Sequence, residues 1–347
     1  MLNRRGVVTF TAVALVAATS LSAQRKDDKK QDETLRKEVQ GAVKIADDAM
    51  TVPPVGQAGP PPPADFALAW IHEDIMKATN KQEYVPFIVS LDPSKVSGGK
   101  MVFYWRAVSK TGPNPLADSK KDGKRPMYPY EDVSVVEVKG KEPIRVARSF
   151  TVPAGSYDIY VVMREFTPTQ KNAPPPKAAL LKQSVTVPDY WNGDLATSSV
   201  IITERIDPLP APLTPQQQVD RPYALGNMEL VPAVSLKFSK KAELATFILI
   251  YNPKTDSSNK PDVTVEYNFY EKSAGAEKFF NKTSPQNLNA QTLPPTFDMV
   301  AGGQLQSGQA VPLASFPEGE YRLEIKIIDK LGNKTITRDV NFSVGAS

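Results

Sequence analysis

Two stretches decide how this chain is read: Pro317-Glu318-Gly319-Glu320-Tyr321-Arg322-Leu323-Glu324-Ile325 and its earlier echo, Pro153-Ala154-Gly155-Ser156-Tyr157-Asp158-Ile159-Tyr160-Val161. In each, a proline and a glycine two residues on make a turn, and glycine can take a positive φ there. The tyrosine then opens an alternation, Tyr157/Ile159/Val161 in one and Tyr321/Leu323/Ile325/Ile327 in the other. Period two is the signature of a strand with one buried face. One more strand follows each, Gln183–Val187 and Asp339–Val344. The repeat predicts two related β units, with Tyr157, Gly155, Tyr321 and Gly319 as structural residues.

The surrounding sequence extends both units. Tyr84–Leu91, Met101–Val108, Val133–Val138 and Ile144–Val152 are rich in β-branched and aromatic residues, as are Leu230–Phe238, Leu244–Tyr251 and Asp262–Lys272. Gly, Pro, Asn and Asp clusters separate them. The reading is mainly β: two tandem antiparallel β-sandwich domains, at 65–190 and 223–347. Between them, 191–222 reads as a proline-rich linker, so the domains are expected to fold separately. Asp65–Ala78 reads equally as a helix capped by Asp65 or as an irregular first strand. Ahead of it, residues 24–64 form a polar arm. Leu35, Val39, Ala42, Val43, Ala46 and Met50 recur at helical spacing, and Thr51–Pro63 is a polyproline spacer. Whether that helix docks or stays a solvated arm is open at this level.

The N-terminus carries Arg4 and Arg5, an uncharged run Val7–Leu21, and Ser22-Ala23 before a charged stretch. This is the plan of a secretory signal peptide, with the cut expected after Ala23. The run is shorter than the ~20 residues a spanning helix needs, so no stable membrane span is expected after cleavage. The expected location is periplasmic or extracellular. The chain has no cysteine. Disulfides, thiol catalysis and cysteine-based metal sites are excluded. The net charge of +4 is spread rather than blocked, so no nucleic-acid footprint is expected.

The stretch Phe316–Asp329 with Val340–Val344 resembles the closing hairpin of fibronectin-III and immunoglobulin-like modules in exported bacterial proteins. A tyrosine heading the penultimate strand is similar to the tyrosine corner of immunoglobulin-like sandwiches. Leu225–Asn252 resembles the β-region of GWxTD-domain proteins, although the GWxTD motif is absent. The resemblance covers roughly the last third of the chain. It implies a fold and an exported setting, and it carries no functional residue across.

No catalytic constellation stands out. His72 is the only histidine and has no G-x-S-x-G nearby. Ser97-Gly98-Gly99-Lys100 matches S-x-x-K, but its glycines favour a turn over the helical turn that chemistry needs. Glu73/Asp74, Glu131/Asp132 and Glu318/Glu320 are adjacent or alternate carboxylates, and strand neighbours point to opposite faces. Asp118 and Asp122 lie among lysines that oppose a cation. Tyr128, Tyr130, Tyr190 and Trp191 are the candidate binding surface. The expected function is a non-catalytic binding or scaffold protein of the cell envelope, without cofactor or metal, taking an envelope protein or a polysaccharide. A carbohydrate-active enzyme with paired carboxylates is the alternative.

Overall fold

The computed structural model describes residues 21–51, 59, 61–112, 115–116, 126–168, 172–273 and 275–346, with backbone alone for 21–31. Helix α1 runs Leu21–Met50. Strands follow in order: β1 (Leu68–Glu73), β2 (Met76–Lys77), β3 (Glu83–Leu91), β4 (Gly99–Ser109), β5 (Tyr130–Val138), β6 (Ile144–Val152), β7 (Gly155–Glu165) and β8 (Ala178–Val187). Then come β9 (Ala196–Thr197), β10 (Ile201–Pro208), β11 (Ala224–Leu225), β12 (Met228–Pro232), β13 (Lys237–Ser239) and β14 (Glu243–Tyr251). The last are β15 (Val263–Ser273), β16 (Ala276–Lys282), β17 (Gln286–Leu288), β18 (Leu305–Pro312), β19 (Gly319–Asp329) and β20 (Lys334–Gly345).

The strands form four sheets. Sheet 1 is β5-β4-β7-β8, and sheet 2 joins β1 and β2 to one side of β3 with β6 on the other. Sheet 3 is β11-β12-β10-β14-β18 with β9 also on β14, and sheet 4 is β13-β20-β19-β15-β16 with β17 also on β15. Pairing is antiparallel except for β13 against β20.

Strand alternation stacks these sheets. Val85, Phe87, Val89 and Leu91 of β3 meet Met101, Phe103, Trp105 and Ala107 of β4 in a core between sheets 1 and 2. Leu244, Ile248 and Ile250 of β14 meet Val263, Val265, Tyr267 and Phe269 of β15 between sheets 3 and 4. The opposite faces of β3 and β14 are not solvated. Tyr84 and Ile88 pack on Phe247, Leu249 and Tyr251, joining sheet 2 to sheet 3. On the other side of sheet 1, Val102, Tyr104 and Val162 pack on Ala42 and Ala46 of α1. The layers are therefore α1, sheet 1, sheet 2, sheet 3 and sheet 4.

Several expectations change. Of the two readings of Asp65–Ala78, the irregular strand is the one found, as β1 and β2 interrupted at Asp74-Ile75: the Asp65 Oδ2 accepts from Ala178 N at 2.8 Å instead of capping a helix. The helix over Leu35–Met50 docks, and its backbone runs from Leu21, so the expected cut after Ala23 falls in its first turn. The 191–222 segment is not an open linker. It contains β9 and β10, whose Ile201 and Ile202 are buried on opposite faces of sheet 3. Its prolines lie at or beyond the end of β10, where no ladder donor is needed. The stretch Leu230–Phe238 splits into β12 in sheet 3 and β13 in sheet 4.

Tyr157 and Tyr321 hold equivalent places. Tyr157 donates its hydroxyl to Pro153 O at 2.9 Å, and Tyr321 donates to Pro317 O at 2.8 Å. Both rings are buried. The glycines differ. A Cβ on Gly155 would meet the Tyr157 hydroxyl at 3.3 Å, whereas Gly319 has open space and an ordinary φ. The turn chemistry argued from sequence therefore applies to Gly155 and not to Gly319. In full-length protein, Tyr321→Phe removes one hydrogen bond and should cost about 1 kcal/mol. Tyr321→Ala also opens a cavity beside Phe316 and Phe342 and should cost roughly 3–5 kcal/mol. Urea unfolding measures both, and an unchanged midpoint for the alanine variant would contradict a structural role.

Candidate functional site

Sheets 2 and 3 meet at a break in an edge strand. Pro86 sits within β3 and has no N–H to give a neighbouring strand. β1 pairs with Phe87–Leu91 and β2 with Glu83–Tyr84, leaving a gap opposite Pro86. In that gap Asp74 N donates to Pro86 O at 3.0 Å. The backbone of Ile75 is thereby free to turn to sheet 3: Ile75 N donates to Ser199 Oγ, and Ser199 N donates to Ile75 O, each at 2.9 Å. Tyr84 donates its hydroxyl to Pro222 O at 2.8 Å, and Tyr223 donates to Pro86 O at 3.4 Å.

The only histidine and several buried ionisable groups gather here. His72 Nε2 lies 2.7 Å from Asp74 Oδ2, and its ring centroid is 6.4 Å from that of Tyr223. Burial opposes the charge on His72, but the hydrogen bond and charge of Asp74, helped by Glu73, outweigh it and raise its pKa. Glu83 is fully buried: one oxygen accepts from Tyr190 N at 3.0 Å, while Oε2 has no partner. Burial raises the Glu83 pKa. Burial also lowers the pKa of Lys77, whose ammonium lies 4.2 Å from the Trp191 ring centroid and donates to Asn252 Oδ1 at 3.0 Å. Asn252 in turn donates to Tyr190 O and Asp194 O, both at 2.9 Å. This is a clasp of the seam, and among the described residues the side chains in contact with His72 are Asp74 and Tyr223 rather than a serine or threonine hydroxyl.

The four candidate aromatics do not form one surface. Tyr190 is buried against Tyr251, with ring centroids 5.0 Å apart. Trp191 is partly exposed, and Lys77 covers its ring. Tyr128 lies under α1, with the Arg106 guanidinium 4.4 Å from its ring centroid, and burial pushes its pKa up to about 12. Tyr130 packs on Trp105 and Phe150 in the first core. The carboxylate pairs also separate. Glu131 accepts from the Tyr104 hydroxyl at 2.8 Å on one face of β5, while Asp132 accepts from Tyr130 at 3.3 Å on the other. Glu73 accepts from Trp70 Nε1 at 2.5 Å, and Glu318 and Glu320 are exposed. Ser97 and Lys100 flank Gly98 and Gly99, both at positive φ in the turn into β4. Asp118 and Asp122 lie outside the described residues. Among those described, no cluster of three metal-ligating side chains occurs.

One broad sheet face has no layer on it among the described residues, the outer face of sheet 4. Across it runs a row that register places side by side: Phe279 of β16, Tyr270 of β15, Arg322 of β19 and Asn341 of β20. Phe279 is half exposed and meets Tyr270 edge-on at 5.9 Å. The Arg322 guanidinium lies 4.4 Å from the Tyr270 ring centroid. Arg322 is fixed by Glu277 at 2.8 Å, Asp339 at 2.6 Å and Glu324 at 3.4 Å, which raise its pKa. Lys272 donates to Asn341 Oδ1 at 2.6 Å. None of these four residues stood out in the sequence. Phe279 is the signal that was available, a large apolar residue in a charged stretch of β16.

The seam makes a pH prediction. Groups whose folded pKa is raised stabilise the fold below their unfolded pKa and stop doing so as pH rises through the folded value. His72 and Glu83 act in that one direction. Stability should therefore fall between about pH 5 and pH 8, and His72→Asn should flatten the upper part of that fall. Urea midpoints across this range measure it. A wild-type midpoint that rises with pH would contradict the sign.

No protein-family model and no curated protein matches the chain. Among the solved structures that align with it are two of a bacterial alpha-2-macroglobulin. Trypsin-activated alpha-2-macroglobulin from Escherichia coli gives a TM-score of 0.23 at 11% identity, over 82% of this chain and 17% of the other. The native conformation of E. coli alpha-2-macroglobulin gives 0.19 at 10% identity, over 82% and 16%. The chain thus spans about a sixth of the length of these proteins, and overlays this loose carry no argument about function.

Proposed function

We propose that this chain is an exported, non-catalytic binding or scaffold protein of the cell envelope, built of two immunoglobulin-like sandwich modules fused face to face. The observation that carries the reading is the layering. Apolar contacts are continuous from α1 through sheet 3, and a bare outer face on sheet 4 closes the stack. Such a body holds a surface in fixed orientation and needs no cleft. The carboxylates argue against a glycosidase, since the adjacent pairs are split between faces or tied to other partners. The row Phe279–Tyr270–Arg322–Asn341 is the surface assigned to the partner, an envelope protein or a polysaccharide. Its aromatic edge and braced arginine suit an extended ligand laid across the strands.

One experiment tests this. Tagged protein is purified from the envelope fraction of its host, as wild type and as Phe279→Ala, and the N-terminus and co-purifying material are identified by mass spectrometry. The expected result is an N-terminus near Gln24 and a partner lost from the variant, with both proteins equally stable. An intact Met1, or a partner retained at full yield by Phe279→Ala, would contradict the reading. Release of sugars from envelope polysaccharide by the purified protein would favour the enzyme instead.

A further inference from the structure

The outer face of sheet 4 carries three neighbouring rows across its strands, and their chemistry narrows what can lie there. The central row is Phe279–Tyr270–Arg322–Asn341. On one side of it register sets Asn268, Glu324 and Asp339, and on the other Glu277, Lys272, Glu320 and Ser343. A protein partner would need an apolar patch to exclude water at the centre of its contact. Of the large apolar side chains exposed among the described residues, Phe279 alone lies on this face. Around it are amides, hydroxyls and paired charges.

Both cations that reach into the central row are taken. Arg322 is held at Nε and Nη2 by Glu277, and at Nη1 by Asp339 and Glu324. Lys272 donates to Asn341 Oδ1 at 2.6 Å and lies 3.8 Å from Glu277. A phosphate, sulfate or uronate arriving here would meet more carboxylates than cations, and like charge would repel it. Hydrogen-bonding capacity remains, and it is fixed in place. Asn341 spends its Oδ1 on Lys272, which leaves its Nδ2 to donate outward from the row. Each carboxylate oxygen can accept more bonds than the bracing of Arg322 uses. At the β16 end, Tyr270 meets Phe279 at an interplanar angle of 81° and steadies its ring.

We propose that the ligand of this face is a neutral glycan laid across the strands, an inference that rests on the reading of the face as the partner surface. A sugar hydroxyl both donates and accepts, which matches carboxylates and an amide set side by side. The C–H face of a pyranose ring suits the negative face of an aromatic ring, and Phe279 is 50% exposed. Adjacent strands lie about 4.8 Å apart, so the row spans about 14 Å, the length of a few pyranose rings. Two residues from Arg322 and Asn341 along β19 and β20, a hollow of about 490 Å³ continues the surface, lined in part by Glu320, Ser343 and Lys237. There the lysine and the glutamate balance in charge. Because Arg322 and its carboxylates are already braced, little side-chain freedom is lost when a ligand settles on them.

Polysaccharide released from the host envelope is separated by anion exchange into a neutral and an acidic fraction, and each is passed over immobilised full-length protein in a biolayer assay. The neutral fraction should bind, with the same affinity between about 0.05 and 0.5 M salt, because no net charge is screened. Phe279→Leu keeps an apolar side chain but loses the ring face, and should weaken binding about tenfold, while Phe279→Trp should not weaken it. Asn341→Ala should also weaken it, with the urea midpoint of each variant close to wild type. Binding of the acidic fraction alone, binding of neither fraction, or a Phe279→Leu variant that binds like wild type would each overturn the proposal. The underlying reading fails differently. A co-purifying protein lost from Phe279→Ala would keep the face as the partner surface without a glycan, whereas a Phe279→Ala variant that loses nothing removes the face itself.

Discussion

The architecture depends on β3 and β14 burying both of their faces. A strand in a solvated antiparallel sheet alternates apolar and polar residues, whereas one covered on both sides reads as a nearly continuous apolar run. β3 (EYVPFIVSL) and β14 (ELATFILIY) are of the second kind. Between them lie Met76, Ile88, Ile201, Tyr223, Leu230, Phe247 and Leu249, all buried. Exposing such a layer would forfeit roughly 25 cal/mol per Å² of apolar surface. Pro86 adds direction to this contact. By leaving a gap between β1 and β2, it turns Ile75 out of sheet 2 and onto Ser199. A residue that ordinarily argues against a central strand here marks where one sheet pair is attached to the next.

Much of this was legible in sequence, and the failures have physical causes. The alternations starting at Tyr157 and Tyr321 are plain because each strand has one apolar face of strict period two. The docking of α1 was not decidable, since a short apolar stripe such as Val39, Ala42, Val43 and Ala46 reads the same on a free arm, and what holds it here includes Arg106 and Arg164 on distant strands. β10 was hidden by its neighbours: the prolines from Pro208 onward dominate the composition of 191–222, while Ile201 and Ile202 precede them. Tyr190 and Trp191 looked like a binding platform because an aromatic pair beside a linker reads the same whether it faces solvent or clasps a seam. β16 and β18 escaped notice for a different reason. Both lie at sheet edges, where pairing is one-sided and the sequence need not be apolar.

The same layering bears on function. Burying both faces of the inner sheets consumes the surfaces on which an immunoglobulin-like module otherwise offers contacts. Among the described residues, what is left is the outer face of sheet 4, together with loops at the ends of the strands. Its organisation rests on Arg322, held by three carboxylates and stacked on Tyr270. A bridge on an exposed face contributes little to stability, but a network of this density orders the side chains it joins. At the other end of the stack, α1 covers the outer face of sheet 1. The two ends thus differ in kind: among the described residues one is an uncovered sheet face, and the other is covered by a helix.

The central claim is that the seam makes one folding unit of the two sheet pairs, and hydrogen exchange along a urea titration of the full-length chain tests it most directly. If the seam couples them, amides of β3, β4 and β7 and those of β14, β15 and β19 should lose protection at a single midpoint and with one free energy. Two well-separated midpoints, with one sheet pair still protected after the other has unfolded, would contradict the account.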